Sequence, residues 1–114
     1  MKTRRHMFMT CTAAMALLCS LPPAIAANPS YERGVEATDN YRYSEALMHF
    51  MAAAEQGDKE AQRNLGLMLL YGDRLYNGEI SRNRAQAKRW LEAAANQGCQ
   101  VSAFMLKMMA QHGG

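Results

Sequence analysis

Residues 52–66 read AAAEQGDKEAQRNLG, and residues 93–98, AAANQG, restate the first part of that stretch forty-one positions later. Three alanines, a Gln-Gly pair and a new amphipathic run place a helix stop and a helix start side by side. Gly57 and Gly98 suit the left-handed conformation that closes a helix. Asp58 then offers a side-chain oxygen as N-cap of the next one. Helices on the two sides of such a turn must fold back as neighbours. Ala52–Ala54 and Ala93–Ala95 present surfaces without bulk, so helix axes can approach toward the short end of the roughly 8–10 Å range. Gly66 serves the same end on the facing helix, and Phe50, Leu65, Trp90 and Leu91 fill the flanks.

Outward from these turns, helical spacing runs through the chain. Tyr43, Ala46, Leu47, Phe50, Ala53 and Ala54 form one apolar stripe; Ala61, Leu65, Met68 and Leu69 form a second. Ala87, Trp90, Leu91, Ala94 and Ala95 form a third, and Val101, Phe104, Met105 and Met108 a fourth. A shorter first helix is expected over Tyr31–Thr38, and Asn83 with Gln86 three residues later marks another helix start. No alternating β-branched run predicts a strand.

Residues 43–72 align with 84–113: Ala46 with Ala87, Gln56 with Gln97, Gly57 with Gly98, Leu65 with Leu106, Met68 with Met109. A fixed period of about 40 residues, each unit a helix pair, marks an α-solenoid. Ala61-x-x-x-Leu65-Gly66, a turn, then Ala87-x-x-Trp90-Leu91-x-x-Ala94-Ala95-x-x-Gly98 resembles the Sel1-like repeat, a relative of the tetratricopeptide repeat. Ala46-x-x-His49-Phe50-x-x-Ala53-Ala54-x-x-Gly57 matches the second half of the same unit, and the likeness spans residues 30–113. His49, Leu69 and Lys107 depart from the family pattern, and the turn YGDRLYNGEI over 71–80 is longer than usual. The resemblance implies an all-α, short right-handed α-solenoid of about five antiparallel helices. It also implies protein–protein interaction, often in a bacterial envelope.

The first residues read as a leader. Lys2, Arg4 and Arg5 precede an uncharged apolar run, Met7–Leu21; Pro22 and Pro23 break it, and Ala24-Ile25-Ala26 offers small residues for cleavage. A secretory signal peptide is expected over 1–26, and a repeat domain over 27–114. Thr3-Arg4-Arg5 with Phe8 partly resembles a twin-arginine signal. Periplasmic or secreted location follows, with no membrane span after cleavage. Without the leader the chain carries ten basic and ten acidic side chains, so the basic pI near 8.9 implies no nucleic acid partner. Residues 27–60 are acidic and 61–114 basic, and this polarity can orient a charged partner or a second copy. Cys99 alone remains of three cysteines, so no internal disulfide forms.

No zinc-like ligand spacing, nucleophile–base pair or phosphate-binding glycine loop stands out, so no cofactor, metal or catalytic residue is expected. His49 is read as a packed imidazole on an inward position, and Cys99 as a small residue at the cap site that Asp58 occupies in the other unit. The binding surface is expected on the first helix of each pair. Exposed Gln62, Arg63, Asn64 and Tyr71 belong there, with Glu32 and Glu36 contributing. The 71–80 turn projects Arg74, Tyr76 and Asn77, and arginine and aromatic side chains dominate binding hot spots. Phe104, Met105, Met108 and Met109 lie on a helix without its pair-mate, and their apolar surface is expected to pack on another protein or a second copy. An exported interaction adaptor is the leading function. An immunity or inhibitor protein against a periplasmic effector is the alternative, with a small envelope hydrolase behind both.

Overall fold

The computed structural model describes residues 27–113. The expected leader falls outside the described residues. Five helices follow in order: α1 Pro29–Asp39, α2 Tyr43–Glu55, α3 Lys59–Tyr71, α4 Arg84–Asn96 and α5 Gln100–Gln111, with a 3-10 turn at Gly72–Arg74. No strand occurs among the described residues. Each helix packs against the next in the chain, the arrangement of an α-solenoid.

The turns carry the architecture. At the end of α2, Gly57 N–H donates to the Ala54 carbonyl and Asp58 N–H to that of Ala53; at the end of α4, Gly98 and Cys99 donate to Ala95 and Ala94. These are paired Schellman closures, with Gly57 and Gly98 at φ +88° and +89°. Asp58 completes the switch by accepting from Ala61 N–H at 2.8 Å. A third closure ends α1, where Tyr41 and Arg42 donate to Thr38 and Ala37. There the left-handed position is held by Tyr41, at φ +58°.

The first helix is longer than the expected Tyr31–Thr38. Pro29 occupies its first turn, and Asn28 accepts from the N–H groups of Ser30 and Tyr31. Proline suits that place because its missing N–H would have no partner there. Asn83 caps α4 by accepting from Gln86 N–H at 3.0 Å.

Glycine and alanine set the helix spacing as anticipated. A Cβ on Gly34 would lie 2.6 Å from the Phe50 ring, and one on Gly66 would lie 2.8 Å from Leu91 Cγ. These two contacts bring α1 onto α2 and α3 onto α4. The core between them is Ala37, Ala46, Phe50, Leu65, Leu69 and Leu91, with alanines where helices meet.

Two expectations are corrected. The 71–80 turn projects only at its tip. Ile80 is buried in the core, and the Tyr76 ring packs on Tyr43 with centroids 5.1 Å apart. Asn83 N–H bonds the Leu69 carbonyl at 2.8 Å. Glu79 accepts from Ser44 N–H at 3.1 Å and so caps α2, whose own N-cap, Arg42, makes no side-chain cap bond. A carboxylate there also meets the positive end of the helix dipole. Arg74, Leu75 and Asn77 stay exposed at the tip.

The second correction is the phase of α5. Its inward face is Ser102, Met105, Leu106 and Met109, not the stripe starting at Val101. Val101 and Phe104 are exposed.

Candidate partner-binding grooves

The forty-one-residue register places Phe104, Met105 and Met108 of α5, and its C-cap His112, where α3 has Arg63, Asn64, Leu67 and Tyr71. Two hollows open along this row of first helices. One, of about 340 Å³, lies between α1 and α3, floored by Phe50, Leu67 and Met68 and edged by Asp39, Asn64 and Tyr76. The other, of about 440 Å³, lies between the C-terminal end of α3 and α5.

The second hollow gathers six of the ten residues singled out from the sequence: Tyr71, Arg74, Phe104, Met105, Met108 and Met109. Leu70 joins the apolar wall, and Arg82, Arg84 and His112 complete the rim. Its lining contains no carboxylate. Phe104 is 60% exposed, a large apolar side chain left in water at the edge of a depression. Methionines suit such a floor, because a flexible, polarisable side chain can re-pack around different shapes.

Local structure fixes the rim. Gly72 turns at the end of α3 with φ +49°, and a Cβ there would lie 2.6 Å from the Arg82 backbone. That close approach holds the returning loop against the helix end, with Arg82 and Arg74 both on the rim of the hollow. Arg84, in the first turn of α4, donates to the carbonyls of Met109 and Gly113, both at 2.8 Å. It thereby satisfies carbonyls that the end of α5 leaves free and fixes the helix that carries the methionines.

The remaining four candidates separate. Asn64 and Tyr76 edge the α1–α3 hollow. Arg63 is tied to Glu60 at 2.7 Å and to Asn64 at 3.3 Å. Gln62 is only 6% exposed, which overturns its expected place on the open face. Its amide donates to the Ala54 carbonyl at 3.2 Å and its oxygen accepts from Gln97 at 2.8 Å. Gln62 therefore joins helices and is not free to meet a partner through these groups. Glu32 and Glu36 are exposed on α1, beside Asp39.

Tyr76 has its pKa raised, first by burial of the phenol and then by the neighbouring Tyr43 and Tyr71. Burial acts to raise the Cys99 thiol too, but donation from the Ser102 hydroxyl at 3.3 Å, with the Ser102 backbone N–H and then Arg63 nearby, outweighs it and the net shift is downward. Cys99 stands at the N-cap position of α5, with its sulfur against Ser102 in the first turn. His49 is half-buried and 3.6 Å from Glu45, at the flank of α2; the packed, inward imidazole expected from its repeat position is not what the fold makes. No cluster of His, Cys, Asp and Glu that could hold a metal occurs among the described residues. None of the helices among them is long and apolar enough to cross a membrane.

Arg82, Arg84, Leu70 and His112 were missed from sequence. Arg82 and Arg84 lie just after the 71–80 turn, and the repeat register matches Arg84 to Tyr43, a residue of different chemistry that gives no indication of a basic rim. His112 had a signal, its forty-one-residue match to Tyr71. A protein-family model described as Sel1 repeat matches residues 30–58 and 59–99. No curated protein and no solved structure matches the chain.

Proposed function

Because the chain belongs to the Sel1 repeat family, whose repeats are generally protein–protein interaction modules, we propose that it is an exported adaptor of the bacterial envelope. The observation that carries the reading is the convergence of Tyr71, Phe104 and Met108, from two successive first helices, on one arginine-rimmed hollow. Aromatic and arginine side chains are the residue types that anchor protein interfaces. Export rests on the basic, apolar and small-residue order of residues 1–26.

The test is photo-crosslinking in cells with a photoreactive residue at Phe104, and at Arg89 as an exposed control on α4. Crosslinks to one dominant protein from position 104 and none from 89, in the periplasmic or secreted fraction, support the proposal. Equal crosslinking from both positions, or recovery only with cytoplasmic proteins, contradicts it.

A further inference from the structure

We propose that the hollow between α3 and α5 docks an amphipathic helix of a partner protein, one with carboxylates beside its apolar stripe; this presupposes the interaction role of the same groove. Three observations select that occupant. The first is charge. Arg74 and Arg82 rim the hollow, and the Lys and Arg ion pairs among the described residues use Arg42, Lys59, Arg63 and Lys88 instead. Arg84 is committed to backbone carbonyls. Two arginines with no acid in the lining match a ligand that brings its own carboxylates.

The second observation is the shape of the walls. They are helices and a 3-10 turn, so no strand edge is offered. An extended segment would enter with unpaired backbone groups, whereas a helix satisfies its own. The methionine floor accommodates its ridges.

The third concerns a second copy. A two-fold pairing through this hollow would bring two basic rims, each with Arg74 and Arg82, into one interface whose lining has no carboxylate. The chain's acidic helix is α1, with Glu32, Glu36 and Asp39 exposed, but its apolar side is occupied on α2, where Tyr31 packs on Phe50. Stacking as a further repeat is also hindered. Lys107 occupies the register position of Gly66, whose missing side chain lets α4 approach α3.

The probe is a fluorescein-labelled synthetic helix of about 15 residues, roughly four turns, with a Leu/Phe stripe flanked by Glu, titrated against the purified protein by anisotropy. Copies with Gln or Lys in place of Glu are the comparison. The Glu peptide should bind at least about tenfold tighter than the Gln peptide at low salt, and the advantage should shrink as salt rises. Combined Arg74→Gln and Arg82→Gln should abolish that preference and leave Gln-peptide binding unchanged, which a loss of folding would not do. Phe104→Ser should weaken both peptides. Equal binding of the Glu and Gln peptides, preference for the Lys peptide, or a dimer that shields Phe104 would overturn the proposal. If Phe104 still crosslinks one envelope partner while the Glu peptide shows no preference, the acidic helix is refuted and the adaptor role stands.

Discussion

Gln97 donates its side-chain amide to Gln62 at 2.8 Å and to the Gly57 carbonyl at 3.0 Å, so the turn ending α4 is tied to the turn that opens α3. The first pair repeats the arrangement: Gln56, forty-one residues earlier, accepts from Asn28, which opens α1. In each pair the glutamine before the closing glycine clasps the second helix's end to the first helix's beginning. The clasp explains why Gln recurs beside both glycines, and why Gln62 is buried.

Breaking the clasp exposes its energetics. Gln62→Ala removes its bonds to the Ala54 carbonyl and the Gln97 amide, which keep Gly57 as their other partner, and should cost about 1 kcal/mol. Gln97→Ala, at an exposed residue, should cost less. The double variant should be less destabilised than the sum of the two, measured by urea unfolding; strict additivity would deny the link.

The first turn is the weak copy of the motif. Tyr41 holds the left-handed position that glycine holds in the other two, and a side chain there costs about 1–2 kcal/mol. Tyr41→Gly should therefore stabilise the domain, by about 1 kcal/mol or slightly less once the edge contact with Tyr43 is lost. Gly57→Ala, by contrast, meets open space and should destabilise through backbone strain alone, by about 1 kcal/mol. Thermal unfolding of both variants checks the opposite signs.

Close approach is tested at Gly34 and Gly66. Alanine at either would gain helix propensity, worth about 1 kcal/mol, yet its Cβ would fall inside contact distance of Phe50 or Leu91. Overpacking of that kind costs about 1–3 kcal/mol, so both variants should be net destabilised or neutral. A clear gain in stability would show that the helices are not in contact there.

Alkaline pH should loosen the 71–80 turn. The Tyr76 pKa is raised in the folded protein, chiefly by burial, so its contribution is complete below the ordinary tyrosine value and fades as pH rises through the folded one. Tyr76→Phe keeps the ring on Tyr43 and removes the titration. Its stability curve should match the parent near neutrality and fall less steeply above about pH 10. Identical alkaline limbs would contradict the assignment.

The parts legible in the sequence were those governed by local chemistry. Gly57, Asp58 and Gly98 announce their roles because a left-handed turn and an N-cap need particular residue types. Long-range choices were less visible. Ile80 is a lone apolar residue in a polar turn, and only the folding-back of that turn shows it belongs to the core. Gln62 looks like a surface residue until Gln97 arrives from 35 positions away to satisfy it. The phase of α5 is hard to read because Val101, Phe104, Leu106, three methionines and two alanines make the helix apolar nearly all round. Tertiary packing, through buried Ser102, then decides which side turns inward.

The most direct test is hydroxyl-radical footprinting of the protein alone and with the partner captured from position 104. Phe104, Met108 and Tyr71 should lose labelling on binding, while Met48, 66% exposed on α2, should keep it. Protection at Met48 with Phe104 and Met108 unchanged would place the interface elsewhere and contradict the groove as the binding surface.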